Sequence, residues 1–413
     1  LNYPEGAAMR TRNPVWLLVF CAGTMLAINM GIRQTFGLYL RPVSQDLNLD
    51  RQVFSFAMAL LNLTWGFAAP FAGALSDRLG AVRVGLLGTA CYIAGLVLMA
   101  TASGGGQIVF SGALIGLGIA GTGFTAVFGV IARAAPPEHR ASALGMVTMG
   151  SAIGQFVSLP YTHTLIDATG WMTSLLILAG TAALMAPLAL LMGRASGAGL
   201  PQSGIQNQSL GAALREAMRY PSFLLLTAGF FVCGFHLAAV AVHLPSFLAD
   251  KGFSLGLGAM ALTIVGGGNI LGTYLFGRIG DVFPKRLALA GIYLGRGVIF
   301  LCLLYLPLSV PAVLIYAFVM GILWLGTVPL TSGLIVTFFG PRWLSTLYGI
   351  VFLSHQIGSF MGAWLGGWVY DHYRSYDLLW WAGIAVAVLA AILHLPIREA
   401  PAPRPVMAGV AAE

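Results

Sequence analysis

Two arginines, Arg33 and Arg296, stand inside long apolar runs. A charge at membrane depth costs at least about 2.5–3.5 kcal/mol, so each needs a polar partner or a water-filled cavity. All thirteen acidic residues fall in loops, tails or the ends of apolar runs. Two positive charges without a core carboxylate describe a place for an anion. Arg33 follows Asn29 by one helical turn and precedes Phe36 and Gly37, which puts them on one stripe. The stripe reads equally as an anion or gate contact and as a structural tie to carbonyls or to Asp46. Arg296 lies in Gly295-Arg296-Gly297 and reads first as a partner for polar groups of a neighbouring helix, such as Asn269.

Histidine is the side chain that ordinarily changes charge near neutral pH. His236, His243 and His355 lie inside apolar runs, His355 in helical register with Tyr348 and Ser359. His236 and His355 are candidates for proton coupling, against the blander role of neutral hydrogen-bonding groups. His163, His372 and His394 sit at run ends and read as surface groups. Trp324, Thr327 and Thr331 recur at i, i+3 and i+7, and Phe124 and Phe128 mark another run. Such stripes serve packing as readily as a pocket. With the arginines they outline a mixed apolar and hydrogen-bonding site suited to a carboxylate with an organic tail.

These residues must be placed by membrane helices. Of 413 residues, 58% are hydrophobic and 8% charged, where a soluble domain carries about 25% charge. Mean hydropathy is +0.87. Soluble enzymes and nucleic-acid binders are excluded by that balance, although the net charge is +8 and the pI near 9.5. Cys21, Cys91, Cys233 and Cys302 each lie in an apolar run with no metal-ligand spacing, and read as small packers. No metal site or cofactor is expected.

Runs of about 20 apolar residues fall near 14–40, 52–75, 81–101, 107–133, 140–166 and 171–193, then near 221–248, 256–279, 286–307, 311–338, 344–370 and 376–396. The chain therefore divides into a tail (1–13), six spans (14–193), a polar linker (194–220), six spans (221–396) and a second tail (397–413). With both termini cytoplasmic, fifteen Lys and Arg flank the spans on that side and four on the other, the orientation favoured by the positive-inside rule. The halves repeat. Gly73, Asp77, Gly145, Gly154 and Asp167 recur 204 residues later as Gly277, Asp281, Gly349, Gly358 and Asp371. Pro42 and Pro245 match with a slip of one residue, which makes His236 the counterpart of Arg33.

The loop after the second span reads Gly73-Ala74-Leu75-Ser76-Asp77-Arg78-Leu79-Gly80-Ala81-Val82-Arg83. It resembles the G-x-L-x-D-R-x-G-x-x-R signature of the major facilitator superfamily, with a degenerate second copy at Gly277-Arg278-Ile279-Gly280-Asp281. The resemblance implies an all-α membrane protein of twelve helices in two pseudo-symmetric six-helix bundles. It implies a cavity lined by the first, fourth, seventh and tenth spans, with the ninth peripheral. It also implies a cytoplasmic latch at Gly73, Asp77, Arg78, Gly80, Arg83, Gly277 and Asp281. Gly31–Tyr39 and Leu165–Trp171 are similar to bacterial members of the monocarboxylate/oxalate transporter group. Many of those carry an arginine where this chain has Thr273.

The expected activity is secondary transport of a small organic anion across the inner membrane, with a proton as coupling ion, by a monomer in the lipid bilayer. The alternative is a proton-driven exporter of drugs or other metabolites. That class would carry a core carboxylate, an arginine near Gly112 and a Gly-Pro pair in the fifth span, and this chain lacks all three. An enzyme or sensor would need an added domain or a catalytic motif, and none is present.

Overall fold

The computed structural model describes residues 15–124, 127, 130–131, 140–195, 210–340 and 344–402. Among these the apolar runs are helical and no strand occurs. Lipid offers backbone N–H and C=O groups no partner, so a spanning segment must satisfy them internally. The first half comprises α1 (Val15–Thr35), α2 (Leu40–Asp46), α3 (Arg51–Leu79), α4 (Ala81–Ala100), α5 (Gly105–Thr122), α6 (Arg140–Ala183) and α7 (Met185–Ala195). A surface helix α8 (Leu210–Arg219) leads into the second half. There follow α9 (Pro221–Asp250), α10 (Leu255–Val282), α11 (Lys285–Tyr305), α12 (Val310–Ile322), α13 (Thr327–Phe339), α14 (Leu344–Tyr373) and α15 (Asp377–His394).

Ten helical stretches are long and apolar enough to cross a bilayer. One of them, Gly145–Gly193, holds two crossings. It bends at Gly170, whose φ of 78° suits a residue without a side chain. With that hairpin counted twice and the 30-residue α14 added, twelve crossings result. The 204-residue offset holds for whole helices: α3 and α10 begin at Arg51 and Leu255, α4 and α11 at Ala81 and Lys285, α6 and α14 at Arg140 and Leu344. The first span departs from its counterpart. Its helix gives way at Phe36–Leu38 to a 3-10 turn, whereas α9 runs unbroken through Pro245. Gly37 is pressed against the Ala241 carbonyl, where a side chain would collide. That close approach fixes the bend.

Two apolar cores form, each mainly from one half, and besides the Gly37–Ala241 contact the halves meet along two helix pairs. On one side α3 crosses α14: Gly367 lies against Ser55 and Gln52, Gly66 against Gln356, and Phe56 against Phe360. On the other α10 crosses α6, with Gly256 beside His163 and Gly266 beside Phe156. These contacts run from one end of the bundle to mid-depth. That end is tied by charge. Arg51 forms a two-pronged pair with Asp250 at 2.6 and 2.9 Å, its guanidinium lies 3.6 Å from the Tyr370 ring centre, and it donates to Tyr376. Asp371 accepts the N–H groups of Arg51 and Gln52 at 3.2 and 2.7 Å, so an anion of one half caps a helix start of the other. Toward the opposite end, among the described residues, no hydrogen bond or ion pair joins the halves, and Asp281 is exposed.

Replacing the cap should loosen the closed end. Asp371→Asn is expected to cost about 1 kcal/mol and to lower the melting temperature. Ser55, fully buried beneath Gly367, gives the second readout. A cysteine placed there should react several-fold faster with a water-soluble maleimide in the Asn variant, measured by peptide mass spectrometry. An unchanged rate would show that packing alone keeps this end shut.

Candidate functional site

At mid-depth, where the two halves part, Arg33 points from α1 toward α3. It donates to Asn62 Oδ1 at 2.8 Å, and its guanidinium lies 5.0 Å from the Trp65 ring centre. It is half-buried, and its Nε has no protein partner. Asn62 is reached from the other half as well. Gln356 of α14 donates from Nε2 to the Asn62 carbonyl at 3.1 Å, while its Oε1 accepts from His355 Nδ1 at 2.9 Å. A ring pathway runs alongside. Trp65 meets Phe352 edge-on with centroids 5.2 Å apart, and Phe352 stacks on His355 at 5.6 Å and 8°. Gly66 makes the crossing possible, since a Cβ there would sit 2.6 Å from Gln356 Cβ. Arg33 and His355 thus belong to one polar and aromatic band that spans both halves.

The second arginine lies deeper in the second half. The tenth span is interrupted: α12 ends at Ile322 and α13 starts at Thr327. Arg296 donates from Nε and one terminal nitrogen to the Leu323 carbonyl, at 3.1 and 2.6 Å, and from the latter to the Trp324 carbonyl at 2.6 Å. Asn269 Oδ1 accepts the Leu325 N–H at 3.1 Å and the Thr273 hydroxyl at 3.2 Å. The expected Arg296–Asn269 partnership is corrected accordingly. Both residues hold the same unwound segment, the arginine taking its carbonyls and the asparagine an N–H. A cation at the carbonyl end of α12 also suits that helix's dipole. The Trp324-Thr327-Thr331 stripe is corrected too: Trp324 lies in the unwound link, and Thr327 and Thr331 are buried in α13.

The fourth span breaks at a matching level, where α5 ends at Thr122 before Gly123. Asn29 donates to the Thr122 hydroxyl at 2.6 Å and to the Ile119 carbonyl at 3.3 Å. It therefore faces α5, away from Arg33's partners. Phe124 is half-buried against the first-half core, and Phe128 lies outside the described residues. Tyr348 is half-buried, its ring 6.1 Å from that of Phe230. His236 is fully buried, and its Nε2 donates to the Gly383 carbonyl at 2.9 Å. The structure brings it to α11 and α15, not to the band between the halves. His243 donates likewise to the Ala363 carbonyl at 2.7 Å. His394, read as a surface group, is instead buried, with its ring over Gly229 and 5.2 Å from Tyr293.

Similarity to known proteins agrees with this architecture. The family model described as Major Facilitator Superfamily matches residues 15–363 and 268–411. The chain belongs to the major facilitator superfamily. Its relatives include the uncharacterized MFS-type transporter YcxA of Bacillus subtilis, 25% identical over 94% of this chain and 96% of that protein. Monocarboxylate transporter 12-B of Danio rerio is 23% identical over 87% and 82%. An MFS-type efflux pump of Mycolicibacterium smegmatis is 25% identical over 66% and 63%. Among solved structures, a bacterial homolog of the human lysosomal transporter Spinster, inward-facing and occupied, superposes with a TM-score of 0.74 at 14% identity, over 91% of this chain and 95% of that one. This chain is thus a multi-pass membrane transporter and not an enzyme.

In this superfamily member the Gly73–Arg83 motif, expected to form a latch, falls at the end where the halves are apart. Gly80, at φ 88°, separates α3 from α4, a turn that a side chain would strain. Gly73 and Gly277 are half-buried and Arg83 is exposed. The side chains of Asp77 and Arg78 lie outside the described residues. Asn62, Trp65, Phe352 and Gln356 were not singled out by spacing, because each looks like ordinary helix content until the opposing half is in place.

The two arginines should separate in stability measurements. Asn269→Leu leaves the Leu325 N–H buried without a partner, at a cost of about 1–3 kcal/mol. Arg296→Ala strips two carbonyls of charged donors and should lower the melting temperature further. Arg33→Ala, at a half-buried position, should lower it least. Equal losses for Arg33 and Arg296 would contradict these separate roles.

Proposed function

We propose that this transporter carries a small organic anion, a monocarboxylate, together with a proton across the inner membrane by alternating access. The observation that carries the reading is the half-buried Arg33 where the halves part, whose buried Nε has no protein partner, with no carboxylate among the described core residues. Arg33 can hold a carboxylate, while Trp65 and Phe352 offer apolar surface to an organic tail. The names of several relatives support the substrate class: monocarboxylate transporters 11 and 12 of vertebrates are 24–26% identical.

The basic residues, fifteen against four, orient both termini to the cytoplasm. The end tied by Arg51, Asp250 and Asp371 is then external, and the cavity opens inward. In the outward-facing state the Gly73–Arg83 and Gly277–Asp281 loops meet as the latch. A proton balances the anion's charge, so the loaded carrier reorients without moving net charge across the membrane potential. The carrier functions as a monomer, since the site lies within a single chain.

The test is thermal stabilisation of purified protein by monocarboxylates, dicarboxylates, aromatic acids and lipophilic cations, at about pH 5.5 and about pH 7.5. A monocarboxylate should raise the melting temperature of the wild type, more at the lower pH. Arg33→Ala should lose the shift, and Arg33→Lys should keep part of it. Stabilisation by cations alone, unaltered in the Arg33 variants, would overturn the anion reading and favour export.

A further inference from the structure

Arg33 is held by groups that bear no charge. One terminal nitrogen donates to Asn62 Oδ1 at 2.8 Å, and the guanidinium lies 5.0 Å from the Trp65 ring centre. Asn62 is 4% exposed and Trp65 7%. They stand three residues apart on α3 and so form one wall beside the half-buried arginine. The amide has one workable orientation. Asn62 Nδ2 donates to the Met58 carbonyl at 2.9 Å, and a flipped amide would set N–H groups against the guanidinium and an oxygen against that carbonyl. The backbone of the same residue is fixed from the other half, where Gln356 Nε2 donates to the Asn62 carbonyl at 3.1 Å.

We propose that Asn62 sets the charge selectivity of the Arg33 site, which takes a small monovalent anion because its holder is a neutral amide. This inference rests on the reading of Arg33 as an anion anchor and names a second determinant beside it. The chemistry of the acceptor decides what else the guanidinium can hold. A carboxylate at position 62 could accept the same hydrogen bond, but it would also pair with the positive charge. An ion pair at that range takes up the potential that an arriving anion would otherwise meet. An amide fixes the guanidinium and leaves its charge outstanding for a ligand.

Arg296 supplies the contrast. It too is held by uncharged oxygens, the Leu323 and Trp324 carbonyls, but at 0% exposure its charge is sealed from solvent. At Arg33 a neutral acceptor is combined with partial exposure in the space between the halves. Neutrality at position 62 therefore has a consequence for ligands there that it cannot have at the interrupted tenth span.

Iodide tests the proposal without knowledge of the transported substrate. It is a monovalent anion that quenches indole fluorescence at short range, and Trp65 lies beside Arg33. The chain has nine tryptophans, so the Trp65 signal is taken as the difference between each full-length protein and its Trp65→Phe counterpart. Acrylamide, a neutral quencher, reports exposure alone. At constant ionic strength the ratio of iodide to acrylamide quenching should fall at least about fivefold in Asn62→Asp and in Arg33→Gln. It should stay within about twofold of wild type in Asn62→Ala, which removes the acceptor without adding a charge. Aspartate has nearly the shape of asparagine and can keep the bond to Arg33, and melting temperatures check that each variant folds. A ratio unchanged in Asn62→Asp would overturn the proposal. A ratio lost equally in Asn62→Ala would reduce Asn62 to a structural tie and overturn it as well. Monocarboxylate stabilisation is read on the same proteins. Iodide discrimination as expected, with no monocarboxylate stabilising the wild type, would sink the substrate reading and uphold the charge selectivity of the site.

Discussion

Unwound backbone in the middle of a membrane has no water to turn to, and the protein must complete its hydrogen bonding from side chains. The segment between Ile322 and Thr327 is where that obligation shapes this chain most. Leu323 and Trp324 present carbonyls and Leu325 an N–H, and Arg296 and Asn269 answer them from the two neighbouring helices. A neutral side chain could have met the carbonyls. An arginine brings a full charge with it, and this one is fully buried. Cys233 and Thr327 continue the polar contacts beside it.

The first half solves the matching break with less. The fourth span gives way at Gly123, and Asn29 with Thr122 supplies the missing contacts without charge. Arg33 is thereby left free of a structural duty at the break and lies half-buried beside Asn62 and Trp65. Two homologous bundles have come to hold one arginine each in different employment. One is sealed into the fold, and the other faces the space between the halves.

The architecture was legible in the sequence because it is written in quantities that add along the chain: run length, loop charge and a repeat offset that recurs for whole helices. The band between the halves was not. Asn62 and Gln356 sit 294 residues apart, and neither has a spacing partner in its own helix. Their role comes from a crossing that Gly66 permits. The interruption of the tenth span was hidden for another reason. Leu323-Trp324-Leu325-Gly326 is as apolar as its flanks, so periodicity gave no sign that Trp324 leaves the helix. Reading Asn269 as the partner of Arg296 identified the right neighbours but missed what they share.

Alternating access places opposite demands on the surface between the halves. It must be polar enough to hold a charged substrate, yet free of strong ties that would lock one state. The described contacts divide along that line. The ion pair of Arg51 with Asp250 and the helix start capped by Asp371 lie at the closed end, partly open to solvent, where screening keeps such ties weak. At mid-depth, where an unscreened ion pair would be far stronger, the halves are joined by one amide-to-carbonyl hydrogen bond and by aromatic edges. Their charges, Arg33 and Arg296, stay on opposite sides of that band, each hydrogen-bonded within its own bundle. The halves can therefore separate about the Asn62–Gln356 contact without breaking the hydrogen bonds of either arginine, which suits the alternating access proposed for this carrier.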